Sequence, residues 1–274
     1  MVTKFVRKVI NRYAQDDCSY MAASLAYYGL FSLFPLTLAL VAILGYLLPI
    51  SALEEQILRF SEFYLPGSVD LVRANLAHLV IARQSVSMVA LIGLLWAATS
   101  GVVALTKSLN RIWRAPTPRP FLLQRLLALG LVMAAGLLFL LSISGSAILR
   151  FASTIPAPGT DGDMLVDSLL WRITASLLPF VATFLTFLLL YWTIPNVRQR
   201  LAYLWPGALV ASVGFEAAKS LFRFYVENLS RYQLLYGSLG TVIVLLLWIY
   251  LSAVILLFGA EFSVVFGAYR ENEL

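Results

Sequence analysis

Six stretches of this chain are each long and apolar enough to cross a lipid bilayer, at residues 22–48, 86–106, 121–149, 171–194, 204–225 and 239–266. A helix needs about 20 mostly apolar residues to span the hydrocarbon core. In lipid, every backbone N–H and C=O must find a partner inside the structure, so a span is a helix or part of a closed barrel, and runs of this length are helical. Composition agrees. Hydrophobic residues make up 61% of the chain and charged residues 12%, against roughly 45–50% and about 25% in soluble domains. The expected fold is an all-α integral membrane protein, with residues 1–274 forming a single membrane domain of six transmembrane helices.

The loops set an expected orientation. Lys4, Arg7, Lys8 and Arg12 precede the first span, Lys107, Arg111, Arg114, Arg119 and Arg125 gather around the second connection, and Arg198 and Arg200 lie in the fourth. The opposite side mixes Glu54, Glu55, Glu62 and Asp70 with Arg59, Arg73 and Arg83, and adds Asp161, Asp163 and Asp167. The positive-inside rule places both termini in the cytoplasm. The net charge of +6 is thereby explained by topology, and no nucleic-acid partner is expected. The first apolar run far exceeds the h-region of about 7–15 residues in a cleavable signal peptide, so it is expected to remain as a span.

Two segments outside the spans carry helical periodicity. Within residues 1–20, Phe5, Val6, Val9, Ile10 and Tyr13 share one face opposite lysine and arginine, the pattern of an interfacial helix on the inner leaflet. Within 49–85, Leu53, Ile57, Leu58, Val69, Val72, Leu76, Leu79 and Val80 fall at helical spacing on both sides of Pro66-Gly67. That predicts a small extracytoplasmic cap made of a helical hairpin.

Charge inside the fifth span is the strongest sign of a site. Glu216, Lys219, Arg223 and Glu227 recur at steps of three and four residues, which return to one helix face. An intramembrane charge is costly and must face protein, water or a substrate. Glu216 and Lys219 fall deepest, Arg223 approaches the outer interface where it can snorkel, and Glu227 reaches that interface or lies beyond it. The stripe is either an internally compensated ladder that fixes helix packing or a polar wall that binds an anionic headgroup or carries protons. Glu261, near the cytoplasmic end of the sixth span, is expected to be structural.

Pro35 interrupts the first span, where a helix-interior proline removes a hydrogen bond and kinks the helix. Tyr27, Tyr28 and Ser32 offer polar groups beside that break. With Pro35, Asn110 and Tyr236 they are candidates for lining a cavity, the alternative being a packing kink with the tyrosines satisfied by other helices. Two short echoes link the halves: Ser32-Leu33-Phe34-Pro35 with Ser176-Leu177-Leu178-Pro179, and Lys107-Ser108-Leu109-Asn110-Arg111 with Lys219-Ser220-Leu221-Phe222-Arg223. They raise the hypothesis of an inverted 3+3 repeat, a transporter architecture.

Several chemistries are disfavoured. One cysteine, Cys18, and one histidine, His78, allow neither an internal disulfide nor a Cys/His metal cluster. No Gly-rich phosphate loop precedes a helix, and no cytoplasmic carboxylate cluster offers a seat for catalytic metals. No metal, cofactor or enzymatic activity is expected.

Over nearly its whole length the chain resembles the YihY/BrkB family of bacterial inner-membrane proteins, once labelled ribonuclease BN. The matching elements are Ala22-Ala23-Ser24-Leu25-Ala26-Tyr27-Tyr28, Ser32-Leu33-Phe34-Pro35, Ser108-Leu109-Asn110-Arg111-Ile112-Trp113, Tyr191 with Ile194-Pro195-Asn196, and Pro206-Gly207-Ala208. Further on come Glu216 with Lys219, Phe222 and Tyr225, then Tyr236-Gly237-Ser238-Leu239, Trp248-Ile249-Tyr250-Leu251 and Gly259-Ala260-Glu261. Phe215 stands where the family pattern commonly has tryptophan. The resemblance implies six spans in the bacterial inner membrane and a link to envelope integrity. The expected function is a transporter or translocator of a lipid or other anionic amphiphile, with membrane lipids as partners and Glu216, Lys219 and Arg223 binding or coupling. The alternatives are a structural scaffold of the envelope and, further behind, a tRNA-processing ribonuclease.

Overall fold

A computed structural model describes residues 2–44, 96–116, 122–130, 169–228 and 230–271, with isolated positions at 58, 59, 69, 73 and 120. The expected outer hairpin at 49–85, the first half of the 86–106 stretch and most of 121–149 lie outside the described residues, as does His78. Among the described residues the regular elements are α-helices, with no strand.

The main helices are α1 (Val2–Gln15), α2 (Cys18–Leu44), α3 (Ser100–Ile112), α4 (Leu169–Thr193), α5 (Leu201–Asn228) and α6 (Ser230–Arg270). α6 is the hub, packing against α5, α2, α1 and α3, while α4 packs against α5. Its 41 residues make a rod of roughly 60 Å at about 1.5 Å per residue. That is about twice the thickness of the hydrocarbon core, so α6 is more than long enough to cross a bilayer.

The crossing of α5 and α6 is built from small residues. Ala208, Ala211 and Ala260 are almost fully buried. A side chain on Gly207 would run into Ser263 and the Gly259 carbonyl, and one on Gly259 would lie 2.6 Å from the Tyr191 hydroxyl and 2.7 Å from Ala211 Cβ. Small residues let helix backbones approach closely in lipid, where packing replaces the hydrophobic effect as the main attraction. Pro206, in the second turn of α5, removes one early backbone donor just before this contact. The Ser263 hydroxyl sits 3.2 Å from Leu204 O and 3.1 Å from Gly259 O, and its single proton serves one carbonyl at a time. The Tyr191 hydroxyl donates to Leu256 O at 2.6 Å, tying α4 to α6.

α1 packs part of its apolar face against α6. Val9 is buried, Phe5 stacks edge-on against Phe262 at 5.0 Å, and Tyr13 lies 6.1 Å from Phe258. Those three positions are used against α6 rather than lipid. Val6 and Ile10, on the flank of the same face, remain exposed. The turn after α1 places Asp17 at φ +56°, a left-handed conformation that aspartate tolerates better than most residues. The Asp17 carbonyl then accepts from the Tyr20 and Met21 amides at 3.0 and 3.1 Å as α2 begins.

Candidate functional site

α5 packs against both α6 and α4, and Glu216, the first charge of the stripe, reaches α4. Lys219 Nζ lies 2.8 Å from Glu216 Oε1. The exposures differ: the lysine side chain is 7% exposed and the glutamate 31%. Thr183 of α4, itself buried, donates its hydroxyl to the same Oε1 at 3.0 Å. One carboxylate oxygen therefore joins two helices and neutralises a cation that could not otherwise sit in an apolar environment.

The lysine also faces aromatic surface. Its Nζ lies 5.5 Å from the centre of the Phe215 ring, within the range of a cation–π contact. Phe215 stacks with Phe187 at 5.8 Å and with Trp248 at 5.6 Å, and Trp248 meets Phe222 at 4.9 Å. This cluster is drawn from α4, α5 and α6, and Phe215 is the ring shown to face the ammonium. Phe215, where the family pattern commonly has tryptophan, keeps the ring face that the ammonium needs.

Arg223 is one turn beyond Lys219 and is exposed. Glu227 falls in the last turn of α5, with its side chain outside the described residues. The remaining candidates lie on other elements. Tyr27 and Tyr28 are exposed on α2 and stack on each other at 5.3 Å. The Ser32 hydroxyl donates to Gly29 O at 2.9 Å and marks a close crossing with α3, because a side chain on Gly101 would meet its oxygen at 3.0 Å. Pro35 is a half-buried residue inside α2. Asn110 Oδ1 accepts from the Asn196 amide at 2.7 Å, linking the end of α3 to the segment between α4 and α5. Tyr236 falls in α6, with its side chain outside the described residues. Glu216 and Lys219 are thus brought together, while Ser32 lies at the crossing of α2 and α3 and Asn110 ties the end of α3 to the segment after α4.

A second charged cluster closes the other end of the bundle. Glu261 is fully buried on α6, and Arg12 of α1 donates to it through Nε at 3.0 Å. Arg12 Nη2 also donates to Ile112 O at 3.2 Å, satisfying a carbonyl at the C-terminal end of α3. The Cys18 thiol approaches the other Glu261 oxygen at 3.8 Å. Arg12 reads in sequence only as one of several cytoplasmic cations. The available signal is its position beside Val9 and Tyr13, nearer the apolar face of α1 than Lys4 or Lys8. Thr183 carries no such signal, since a threonine in an apolar helix is ordinary.

Two of the described helices, Leu201–Val226 and Val242–Arg270, are long and apolar enough to cross a membrane. A lysine held by a glutamate inside the first of them completes the picture of an α-helical membrane protein. Residues 9–274 match the family described as virulence factor BrkB, and the chain belongs to this family, also known as YihY/BrkB. It is 31% identical to a UPF0761 membrane protein of Alteromonas mediterranea, over 96% of this chain and 88% of that protein. It is equally similar, at 31%, to a UPF0761 membrane protein of Aeromonas salmonicida, over 97% and 90%. A ribonuclease-like protein of Bacillus subtilis, YfkH, is 29% identical over 94% of each chain. No solved structure matches.

Proposed function

We propose that the chain is a non-enzymatic transporter or translocator of the bacterial inner membrane, acting on a lipid or another anionic amphiphile of the envelope. In this proposal it crosses the membrane six times with both termini in the cytoplasm. The observation that carries the proposal is the unequal exposure of the Glu216–Lys219 pair. A buried ammonium is strongly attractive to an anion, and its present partner is the more accessible of the two groups. An incoming phosphate or carboxylate would exchange with the Glu216 carboxylate on Lys219, with exposed Arg223 making the first contact one turn away. Thr183 would keep the released carboxylate in place.

A second proposal, a scaffold without transport, is favoured by one specific feature: the pair is already neutral and bridges α4 to α5 through Thr183. The ribonuclease-like name of the Bacillus subtilis relative supplies the enzymatic rival.

Transport in liposomes separates these. Full-length protein would be reconstituted with phosphatidylglycerol bearing a fluorescent label, and leaflet exchange read by dithionite quenching. The wild type is expected to accelerate exchange, while folded Glu216→Gln and Lys219→Met are expected to lose most of that acceleration. Wild-type rates in both folded variants would remove the site, and unfolding of both would favour the scaffold. RNA cleavage by protein purified free of host nucleases would overturn the non-enzymatic proposal.

A further inference from the structure

The face of α2 that turns away from the bundle carries features the Glu216–Lys219 site does not use. At its start, where the chain leaves α1, Asp17 Oδ2 meets Arg111 Nη2 of α3 at 2.8 Å, and both side chains are about half exposed, at 53% and 52%. Beside this pair lies a shallow depression of about 330 Å³, lined by Asp17, Tyr20, Met21, Ser24 and Arg111. From there an open stripe runs along α2. Tyr20, Ser24, Tyr27 and Phe31 recur at steps of four, three and four residues, which keep to one helix face. The rings are strongly exposed, at 79% for Tyr20, 54% for Tyr27 and 60% for Phe31, and Tyr27 stacks on Phe31 at 4.6 Å. The opposite face, with Cys18, Ala22, Leu25 and Ala26, is buried.

We propose that this depression and stripe bind one phospholipid with a primary-amine headgroup, phosphatidylethanolamine being the type. The chemistry is complementary at each level. Arg111 offers a planar fork with five donors, so it can hold a phosphate oxygen while one N–H stays on Asp17. The Asp17 carboxylate accepts from the ammonium. A choline headgroup has no N–H to give, and a glycerol headgroup has no cation, so Asp17 is the element that discriminates. With the phosphate on Arg111, the Tyr20 and Ser24 hydroxyls in the same depression would meet the ester region, an interfacial level that tyrosine favours. Tyr20 to Phe31 covers roughly 16 Å of helix at about 1.5 Å per residue. That is about half of the ~30 Å hydrocarbon core, the length available to an acyl chain in one leaflet.

The site is distinct from the charged stripe of α5, and its test reads lipid retention rather than transport. Full-length protein in detergent would be titrated with dioleoyl phosphatidylethanolamine, phosphatidylcholine and phosphatidylglycerol, and bound lipid counted by native mass spectrometry. The wild type is expected to retain the ethanolamine lipid roughly fivefold over the choline lipid, the ratio one net hydrogen bond supplies. Asp17→Asn should erase that preference, while Arg111→Gln should lower retention of all three. Asparagine also tolerates the left-handed turn, so the Asp17→Asn chain keeps its fold, and an unchanged melting temperature would verify this. Tyr27→Ala, away from the turn, should weaken retention without changing the headgroup ratio. Equal retention of ethanolamine and choline lipids by the wild type would overturn the proposal. So would a preference for phosphatidylglycerol that Asp17→Asn leaves untouched.

Discussion

Arg12 and Glu261, 249 residues apart in the chain, meet through a 3.0 Å hydrogen bond that fastens α1 to α6. The glutamate is fully buried and the arginine side chain only 17% exposed. Breaking a buried pair strands one charge and destabilises by about 3–5 kcal/mol. Arg12→Gln and Glu261→Gln are each expected to fall near the lower end of that range, because Arg12 keeps some access to water. The double variant Arg12→Met/Glu261→Met strands neither charge and should recover much of the loss. Thermal melts in detergent measure all three, and single variants that melt with the wild type would refute the lock.

The α5–α6 crossing should tolerate no added side chain. Gly207→Ala places a methyl against Ser263 and the Gly259 carbonyl, and Gly259→Ala places one against Tyr191 and Ala211. Most of these neighbours are backbone or the Cβ of a packed alanine, which cannot swing aside. Overpacking a tight core costs about 1–3 kcal/mol, and both substitutions should reach the upper part of that range. Gly130→Ala is the control, because no atom of the described residues lies within 4 Å of its added carbon. Equal melting temperatures for Gly207→Ala and Gly130→Ala would disprove the close approach.

Helical character was legible because apolar length is a local property. Residues 204–225 and 239–266 fall inside α5 and α6, which run from three to nine residues further at each end. The spacing of Glu216 and Lys219 was legible for the same reason, since neighbours at three residues are fixed by helix geometry alone. What joins them to α4 was not. Thr183 reaches Glu216 across 33 residues, and only the packing of α4 on α5 decides which threonine of that helix does so. α1 shows the same limit from the other direction. Its amphipathic face was plain in sequence, but periodicity does not say whether Phe5, Val9 and Tyr13 meet lipid or protein, and α6 takes them.

The two members of the α5 pair should respond unequally to neutralisation. Glu216→Gln removes the carboxylate 2.8 Å from a 7% exposed lysine, whereas Lys219→Met removes the cation beside a carboxylate that is 31% exposed. Losing the facing charge costs more at the more buried of the two groups. Glu216→Gln is therefore expected to lower stability more than Lys219→Met, by about 1–2 kcal/mol, within the penalty for an unmet buried polar group. Thr183→Val should cost about 1 kcal/mol, one net hydrogen bond. Chemical denaturation in mixed micelles gives the order, and a larger loss for Lys219→Met would reverse the assignment of which partner depends on the other.

Cys18 should be chemically silent in the folded protein. Burial, and then the negative charge of Glu261, push its thiol up from an ordinary 9.0 to about 12. The thiolate is the reactive form, so iodoacetamide at pH 8 is expected to label the SDS-unfolded chain and spare the folded one. The same shift makes a stability prediction with a definite sign. A folded thiol that holds its proton while the unfolded one loses it contributes stability that is complete below about pH 9. That contribution declines as pH rises toward about 12, because the unfolded chain releases the proton first. Melting temperatures at pH 8, 9 and 10 should therefore fall more steeply for the wild type than for Cys18→Ala, which has no thiol to titrate. Parallel slopes, or labelling of folded protein at pH 8, would place Cys18 outside the closed Arg12–Glu261 cluster.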